Sequence, residues 1–192
     1  DWGDNNVLEI LPQIEQELDI KLADNQKEAI VQALSEKLMV ITGGPGTGKT
    51  TLVKTLLKVL ESKELNIKLC APTGRAAKRL SETTGLEATT IHRLLEIDQM
   101  QGGFKYNEDN KLPCDNLIVD ESSMIDVPLF HSLIKSLPHH SGLLLVGDID
   151  QLPSVGAGQV LKDIIYSSII TTIKLTQIFR QAATSDIITN AH

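Results

Sequence analysis

The sequence is poor in cysteine and in aromatic residues, and it contains no long apolar run. Its 192 residues include two cysteines, and phenylalanine, tryptophan and tyrosine together make up 3%. Cys70 and Cys114 are too few and too far apart for a zinc site or a redox pair, which predicts reduced thiols in a cytoplasmic protein. Because no stretch of about 18 apolar residues occurs, we expect no membrane span.

The start of the sequence has no targeting signal, and neither end has the features of a complete chain. It starts with the acidic and polar stretch DWGDNN, without a methionine, which predicts no signal peptide. It stops at TSDIITNAH, which has the pattern of a helix that is just beginning, so we expect a piece of a longer protein. The net charge of −7 argues against a surface that coats nucleic acid, although a local basic groove remains compatible with it.

What the sequence does contain is a glycine-rich stretch directly after a short apolar run. Residues 38–41 have the composition of a strand that is buried on both faces of a parallel sheet. The following GGPGTGKT fits the pattern G-x-x-x-x-G-K-[ST], in which backbone N–H groups cradle phosphates, the lysine faces the β- and γ-phosphates and the threonine binds Mg²⁺. The sequence therefore predicts an ATP site formed by Gly44, Pro45, Gly46, Thr47, Gly48, Lys49, Thr50 and Thr51.

A second apolar run, at residues 117–119, ends in two carboxylates. Ligands of α/β folds bind where the strands end, which is where Asp120 and Glu121 would lie. We predict that Asp120 reaches the Mg²⁺ ion through its water shell. Glu121 could take a proton from the water that attacks the γ-phosphate. As a bare dipeptide the pair would indicate only solvated surface, but the preceding apolar run favours a site.

The rest of the sequence alternates apolar runs with helical periodicity. Further strands are predicted at 67–71, 142–146 and 169–175, and a short amphipathic segment at 89–95. Helices are predicted at 5–22, 25–36 with Asp24 as N-cap, 49–62, 74–82 and 156–167. Strands that alternate with helices pair in parallel, so the fold class is α/β, with a mostly parallel central sheet flanked by helices.

Two further segments suggest contact with nucleic acid. Arg75 stands with two other cations near the start of the helix at 74–82, where a bound phosphate backbone would offset their conflict with the helix dipole. A solvated basic face is the alternative, and the sequence does not decide between them. Residues 103–113 predict a small β-hairpin insertion, within about 99–114. Phe104 and Tyr106 would share one side of it, where they either stack on an unpaired base or cover the edge of the core.

Taken in order, these motifs resemble the superfamily 1 DNA helicases, in particular the RecD-like branch that includes the alpha subunit of exodeoxyribonuclease V. The stretches concerned are LADNQKEAI, GGPGTGKTT, APTGRAAKRL, TIHRLL, IVDESSMID, LVGDIDQLPSVGAG and LTQIFRQ. The resemblance implies that residues 23–192 form a first RecA-like motor domain, which contains the P-loop. An N-terminal helical segment at 1–22 would link this domain to a preceding one. It also implies that the Leu38 strand lies beside the Leu143 strand, with the Leu117 strand next outward.

The resemblance also implies roles for single residues. Gln26, to which composition alone gives no role, would read adenine. Arg180 would contact the γ-phosphate, and Gln151 would link the phosphate site to bound DNA. The insertion would act as a strand-separating pin. The segments that would line the path of single-stranded DNA contain Pro72, Thr73, Thr90 and His92.

The implied function is that of an ATP-dependent DNA helicase motor in recombination and repair. It would use ATP and Mg²⁺ and act on single-stranded or forked DNA, with the 5′-to-3′ polarity typical of the branch. Its expected partners are a second RecA-like domain of the same parent chain, which the 192 residues do not include, and other recombination subunits. Two other interpretations stay open: a small-molecule kinase with the same phosphate loop, and a nucleotide-binding module without turnover.

Overall fold

The computed structural model describes residues 7–150, 159–168 and 170–175, which form a parallel sheet of six strands flanked by helices. The strands are β1 (Leu38–Gly43), β2 (Ile67–Ala71), β3 (Ala88–Thr90), β4 (Asn116–Val119), β5 (Gly142–Gly147) and β6 (Thr171–Leu175). The helices are α1 (Val7–Leu18), α2 (Asp24–Ser35), α3 (Lys49–Ser62), α4 (Gly74–Thr84), α5 (Ile91–Leu95), α6 (Val127–Ser136) and α7 (Val160–Ser167), and a short 3-10 helix spans Ser122–Met124.

The strands lie in the order β3-β2-β4-β5-β1-β6, and every pairing between them is parallel. Leu143 of β5 pairs with Leu38 on one side and with Leu117 on the other, which confirms the predicted neighbours. Because all the strands run in the same direction, the loops that follow β1, β2, β4 and β5 meet at one edge of the sheet. The α/β fold class expected from the sequence is therefore confirmed.

The central strands are apolar throughout because helices cover both faces of the sheet. Within β1, Met39 and Ile41 pack with α1, α2 and α3 in one core cluster, whereas Val40 packs in a second cluster on the other face. The second cluster takes in residues of α5, α6 and α7, including Leu133. The sheet and its two layers thus hold the strand ends, and the loops after them, in fixed relative positions.

The structure also corrects details of the prediction. Strand β3 was not predicted, since the sequence suggested one amphipathic segment at 89–95. The N-cap of α2 is Ala23 rather than Asp24, because the Gln26 side chain accepts a hydrogen bond from the Ala23 N–H at 3.0 Å. Helix α1, within the helix predicted at 5–22, packs into the first core cluster through Val7, Leu11 and Ile14, and its role as a link to a preceding domain stays a prediction.

The insertion does not form the hairpin predicted at residues 103–113. The chain after α5 instead turns back on itself earlier, so that Ile97 and Phe104 form an antiparallel bridge. The Lys105 N–H donates to the Glu96 carbonyl at 2.7 Å, next to this bridge. Asp98 accepts hydrogen bonds from two N–H groups of the turn, at 2.9 and 3.1 Å. The Gly-Gly pair at 102–103, with φ of 73° and 75°, closes this turn rather than preceding the hairpin.

Both cysteines are free and buried. Burial raises the pKa of the Cys114 thiol to about 11 and raises the pKa of Cys70 as well, so both thiols are neutral at physiological pH. Neutral thiols are poor nucleophiles, and both side chains are free, in agreement with the prediction of reduced thiols. None of the helices described combines the length and the apolar content that a membrane crossing needs.

Candidate nucleotide and DNA site

The phosphate loop connects β1 to α3 through a tight turn. Gly46 and Gly48 have φ of 74° and 93°, values that side chains with a Cβ rarely adopt. The Thr47 hydroxyl donates to the Gly44 carbonyl at 2.7 Å and closes the loop on itself. A Cβ at Gly43 would lie 2.5 Å from that hydroxyl oxygen. The glycines are therefore required by the shape of the loop.

Lys49 is the first residue of α3 and folds back over this loop. Its Nζ donates to the Gly43 carbonyl, and it lies 3.4 Å from the Gly44 carbonyl oxygen. Its charge also lowers the pKa values of Asp120 and Glu121 against the larger effect of burial. A cation that lies over a loop of N–H groups, and whose field reaches two carboxyl groups, is suited to binding phosphates.

Asp120 and Glu121 follow β4 at the same edge of the sheet. The Glu121 N–H donates to Asp120 Oδ1 at 2.8 Å. Burial raises the pKa of Asp120, and burial together with the charge of Asp120 raises the pKa of Glu121. A carboxylate with a raised pKa is a stronger base near neutral pH, which suits Glu121 to accepting a proton from water.

Asp148 is a third acidic side chain at this edge, which the sequence analysis did not select. It follows β5, is only 5% exposed, and accepts a hydrogen bond from the Asp150 N–H at 2.9 Å. Its charge raises the pKa of Glu121, and its Oδ2 lies 4.0 Å from the position of a Cβ on Gly44. Its position directly after an apolar run, like that of Asp120, was the pattern that could have identified it.

The donor atoms fit magnesium better than a transition metal. Among the described residues, no three histidine, cysteine, aspartate or glutamate side chains are arranged to hold a metal ion. The predicted ligands, the Thr50 hydroxyl and the Asp120 carboxylate, are hard oxygen donors. Mg²⁺ is commonly held by one or two carboxylates together with substrate phosphates, so this small donor set fits the ion predicted from the sequence.

Gln26 is buried, with 1% of its surface exposed, although a glutamine on a helix is usually solvated. Its Oε1 accepts the hydrogen bond from the Ala23 N–H, but its buried Nε2 has no partner among the described residues. Leaving a buried donor unpaired costs about 1–3 kcal/mol. A ligand that offers an acceptor, such as a nucleobase, would satisfy this amide.

The residues predicted to line a DNA path lie at the ends of β2 and β3, next to the carboxylates. Thr73 caps α4 by accepting from the Ala76 N–H at 3.2 Å, and Thr90 caps α5 by accepting from the Arg93 N–H at 3.1 Å. Pro72 directly precedes Thr73, and both Arg75 and His92 are exposed. The threonine hydroxyls thus have a structural task, and the exposed side chains remain available to a ligand.

The two aromatic residues of the insertion are placed differently from the stacking prediction. Phe104 and Tyr106 are half-buried and pack against the second core cluster, and the Phe104 ring centroid lies 5.8 Å from that of His92. The structure thus favours the alternative in which these rings cover the core edge. The exposed apolar side chains are Ile97, at 68%, and Met100, at 96%, on the turn that precedes them.

Two residues predicted from the sequence, Gln151 and Arg180, lie outside the described residues. Lys49, Asp120, Glu121 and Asp148 follow β1, β4 and β5 at one edge of the sheet. Their roles in catalysis and metal binding stay predictions.

Comparisons with known proteins agree with this arrangement. A family model described as an AAA domain matches residues 26–157. The ATP-dependent RecD2 DNA helicase of Deinococcus radiodurans is 47% identical over 171 residues, which are 89% of this chain and 23% of that protein. The RecBCD enzyme subunit RecD of Haemophilus influenzae is 41% identical over 165 residues, which are 73% of this chain and 26% of that protein. The chain thus spans about a quarter of the length of these relatives.

Solved structures give the same architecture. The crystal structure of the Pif1 helicase from Candida albicans matches with a TM-score of 0.62 and 26% identity, over 88% of this chain and 43% of that one. A Bacteroides Pif1 in complex with ADP-AlF4 matches with a TM-score of 0.59 over 89% of this chain and 46% of that one, and at 22% identity it shows the fold alone.

Proposed function

The chain belongs to the AAA domain family and, within it, to the RecD-like superfamily 1 helicases, and on this premise we propose that it is the first motor domain of a longer ATP-dependent DNA helicase. The observation that carries the proposal is that Lys49, after β1, lies at the same edge of the sheet as Asp120 and Glu121, which follow β4, with only β5 between the two strands. The charge of Lys49 acts on both carboxyl groups and lowers their pKa values against the effect of burial. A phosphate loop beside a base and a metal ligand is the arrangement needed to hydrolyse a nucleoside triphosphate.

Each of these residues has a defined task in the proposed reaction. The loop N–H groups and Lys49 bind the β- and γ-phosphates of ATP, and the free Nε2 of Gln26 donates to adenine. Thr50 and Asp120 hold Mg²⁺, which when bound neutralises charge on the transferring phosphoryl group. Glu121 accepts the proton of the attacking water, and its pKa is raised by burial, by the charge of Asp120 and, least, by that of Asp148.

The other predicted residues complete the proposal. The path of single-stranded DNA runs across the ends of β2 and β3, with Pro72, Thr73, Arg75, Thr90 and His92 along it. Gln151 links the phosphate site to this path, and Arg180 contacts the γ-phosphate. A second RecA-like domain of the same parent chain closes the ATP site, other recombination subunits are further partners, and the location is the cytoplasm. The direction of movement proposed is 5′-to-3′.

The two other interpretations are weaker. A small-molecule kinase is not favoured. The relatives that match this chain over 89% and 73% of its length are a RecD2 DNA helicase and a RecBCD enzyme subunit RecD. A module that binds nucleotide without turnover would have no need for the base at Glu121 or for the raised pKa that its surroundings produce.

The test is the ATPase rate of the longer parent protein with and without single-stranded DNA. A helicase motor should be stimulated by DNA and should ignore small acceptor metabolites. Stimulation by a phosphate-accepting metabolite, without any response to DNA, would overturn the proposal in favour of a kinase.

Residues 1–192 alone should hydrolyse ATP slowly or undetectably and bind DNA weakly. An arginine supplied to the transferring phosphoryl group can contribute about 10³-fold or more in rate, and the proposed second domain would supply one. Steady-state ATPase assays on the isolated chain measure this. Brisk, DNA-stimulated turnover would show that the site is complete without another domain.

Removing the exposed apolar tip of the insertion should abolish duplex unwinding and leave DNA-stimulated ATPase largely intact. The change is Ile97→Ser with Met100→Ser in the parent protein, and unwinding is measured on a forked duplex. A wedge that stabilises one opened base-pair step by about 1.4 kcal/mol is sufficient for strand separation. Retained unwinding would rule out the tip as a pin.

A matched variant, Phe104→Ala, separates this role from packing. Because the Phe104 ring packs on the core, its loss should lower the free energy of unfolding by about 2 kcal/mol, less than for a fully buried ring. The tip variant should keep the wild-type melting temperature. If instead Phe104→Ala abolished unwinding without lowering the melting temperature, the aromatic rings would be the pin after all.

A further inference from the structure

Helix α4 places the Arg79 guanidinium beside Glu121, the carboxylate that the proposed mechanism uses as its base. The Arg79 Nη1 lies 3.6 Å from the Glu121 Oε1. The two side chains differ in surroundings, since Arg79 is 64% exposed and Glu121 is 22% exposed. The contact therefore joins the buried reaction site to the surface of the molecule.

The surface end of this contact is part of a basic stripe on α4. Arg75, Lys78 and Arg79 are exposed, whereas Ala76, Ala77 and Leu80 on the other side of the helix are buried. Arg75 and Arg79 are four residues apart, so they lie on one face and repel each other. The first turn of α4 contains no acidic residue. Three cations near a helix N-terminus are an unfavourable arrangement that a bound phosphate would relieve.

The Arg79–Glu121 contact is well suited to being exchanged. Charge-assisted hydrogen bonds between nitrogen and oxygen are about 2.7–2.9 Å long, so a distance of 3.6 Å indicates an ion pair without a good hydrogen bond. A nucleic-acid phosphate offers an arginine two oxygen acceptors in a matching geometry. A phosphate at the stripe would therefore compete effectively for the guanidinium.

The other charged groups that face Glu121 cannot be exchanged in this way. Asp120 and Asp148 raise its pKa, and Arg79 and Lys49 lower it. Lys49 is held by the carbonyl oxygens of the phosphate loop. Among these groups, Arg79 is the cation whose side chain lies mostly in solvent.

Resting on the proposed function, we propose that Arg79 is a positioning residue that couples DNA to ATP hydrolysis. Without DNA, its guanidinium holds the Glu121 carboxylate and keeps it from the attacking water. When a phosphate of the bound strand takes the guanidinium, the carboxylate is freed to act as the base. DNA stimulation of the ATPase is then, in part, relief of an inhibitory ion pair.

The experiment is Arg79→Gln in the longer parent protein, measured by steady-state ATPase with and without single-stranded DNA over a range of ATP concentrations. The rate without DNA should rise by about two- to fivefold, which is the range that a partly exposed ion pair allows. The ratio of stimulated to unstimulated rate should fall by the same factor. Arg79→Lys should restore part of the restraint, and Lys54→Gln on α3 removes an equal charge away from the pair as a control.

The split between kcat and KM separates this role from a merely structural one. Arg79→Gln should raise kcat without DNA and leave the KM for ATP unchanged, because Arg79 is assigned no contact with the nucleotide. With saturating DNA, the kcat of the variant should equal that of the wild type.

The outcomes distinguish a failure of the Arg79 coupling role from a failure of the helicase function on which it rests. If the wild-type ATPase does not respond to DNA, the helicase proposal fails and the coupling role fails with it. If the wild type responds but Arg79→Gln keeps the low rate without DNA, the coupling role alone is overturned. A lower rate without DNA in Arg79→Gln would also overturn it, because Arg79 would then assist the base instead of restraining it.

Discussion

Replacing Lys49 with alanine in the longer parent protein should reduce ATP turnover by about 10²- to 10³-fold, the loss typical of removing one preorganised electrostatic group. The ammonium lies over the phosphate loop, where it donates to the Gly43 carbonyl. Its charge also lowers the pKa values of Asp120 and Glu121. Without it, the negative charge of the β- and γ-phosphates would face those carboxylates unopposed.

The measurement is steady-state ATPase together with the affinity for a fluorescent ATP analogue in the presence of Mg²⁺. Lys54→Ala on the same helix is the matched control, because it removes an equal charge and side-chain length away from the loop. A wild-type melting temperature for Lys49→Ala would exclude a folding defect. Near-normal hydrolysis by this variant would remove the central claim about the site.

The parts of the molecule that the sequence predicted well are those fixed by local patterns. The runs that became β1, β4 and β5 are continuous and apolar because both of their faces are covered. The phosphate loop was predictable because its backbone geometry requires glycine, as the φ angles of Gly46 and Gly48 show. Such features depend on neighbouring residues, so they can be recognised without knowing the tertiary structure.

The parts that could not be predicted depend on tertiary contacts. The burial of Gln26 follows from how α2 packs, and a glutamine on a helix carries no local sign of it. The Gly-Gly pair at 102–103 is equally compatible with a turn that it closes and with a hairpin that begins after it. The bridge between Ile97 and Phe104, which is a tertiary contact, selects the turn. The contact between Arg79 and Glu121 joins residues that are far apart in the sequence.

The electrostatics of Glu121 follow from burial and from two strands that end at one edge of the sheet. Burial raises its pKa most, and Asp120 and Asp148, at the ends of the neighbouring strands β4 and β5, raise it further. A carboxyl with a pKa above its ordinary value binds its proton more tightly in the folded state. Its ionisation therefore lowers the free energy of unfolding as the pH rises through that raised pKa. The site is thus arranged for basicity at some cost in stability, as is common for functional sites.

This arrangement leads to the second large prediction, for Glu121→Gln. The amide keeps the size of the side chain but cannot accept the proton of the attacking water, so hydrolysis should fall by about 10²-fold or more. Binding of Mg-ATP should be retained, since Lys49, Thr50 and Asp120 are unchanged. The melting temperature at neutral pH should be equal to or above that of the wild type, because the variant no longer places a charge in this partly buried position.

Two further variants serve as comparisons for Glu121→Gln. ATPase rates, nucleotide affinity and melting temperatures are measured on all three proteins. Asp120→Asn should weaken Mg-ATP binding, because it removes the proposed metal ligand, whereas Glu121→Gln should not. Glu82→Gln, an exposed substitution of the same kind on α4, should leave both properties unchanged. If Glu121→Gln lost binding along with hydrolysis, Glu121 would be a metal or structural residue, and the base would have to be sought at Asp148, which lies at the end of the next strand.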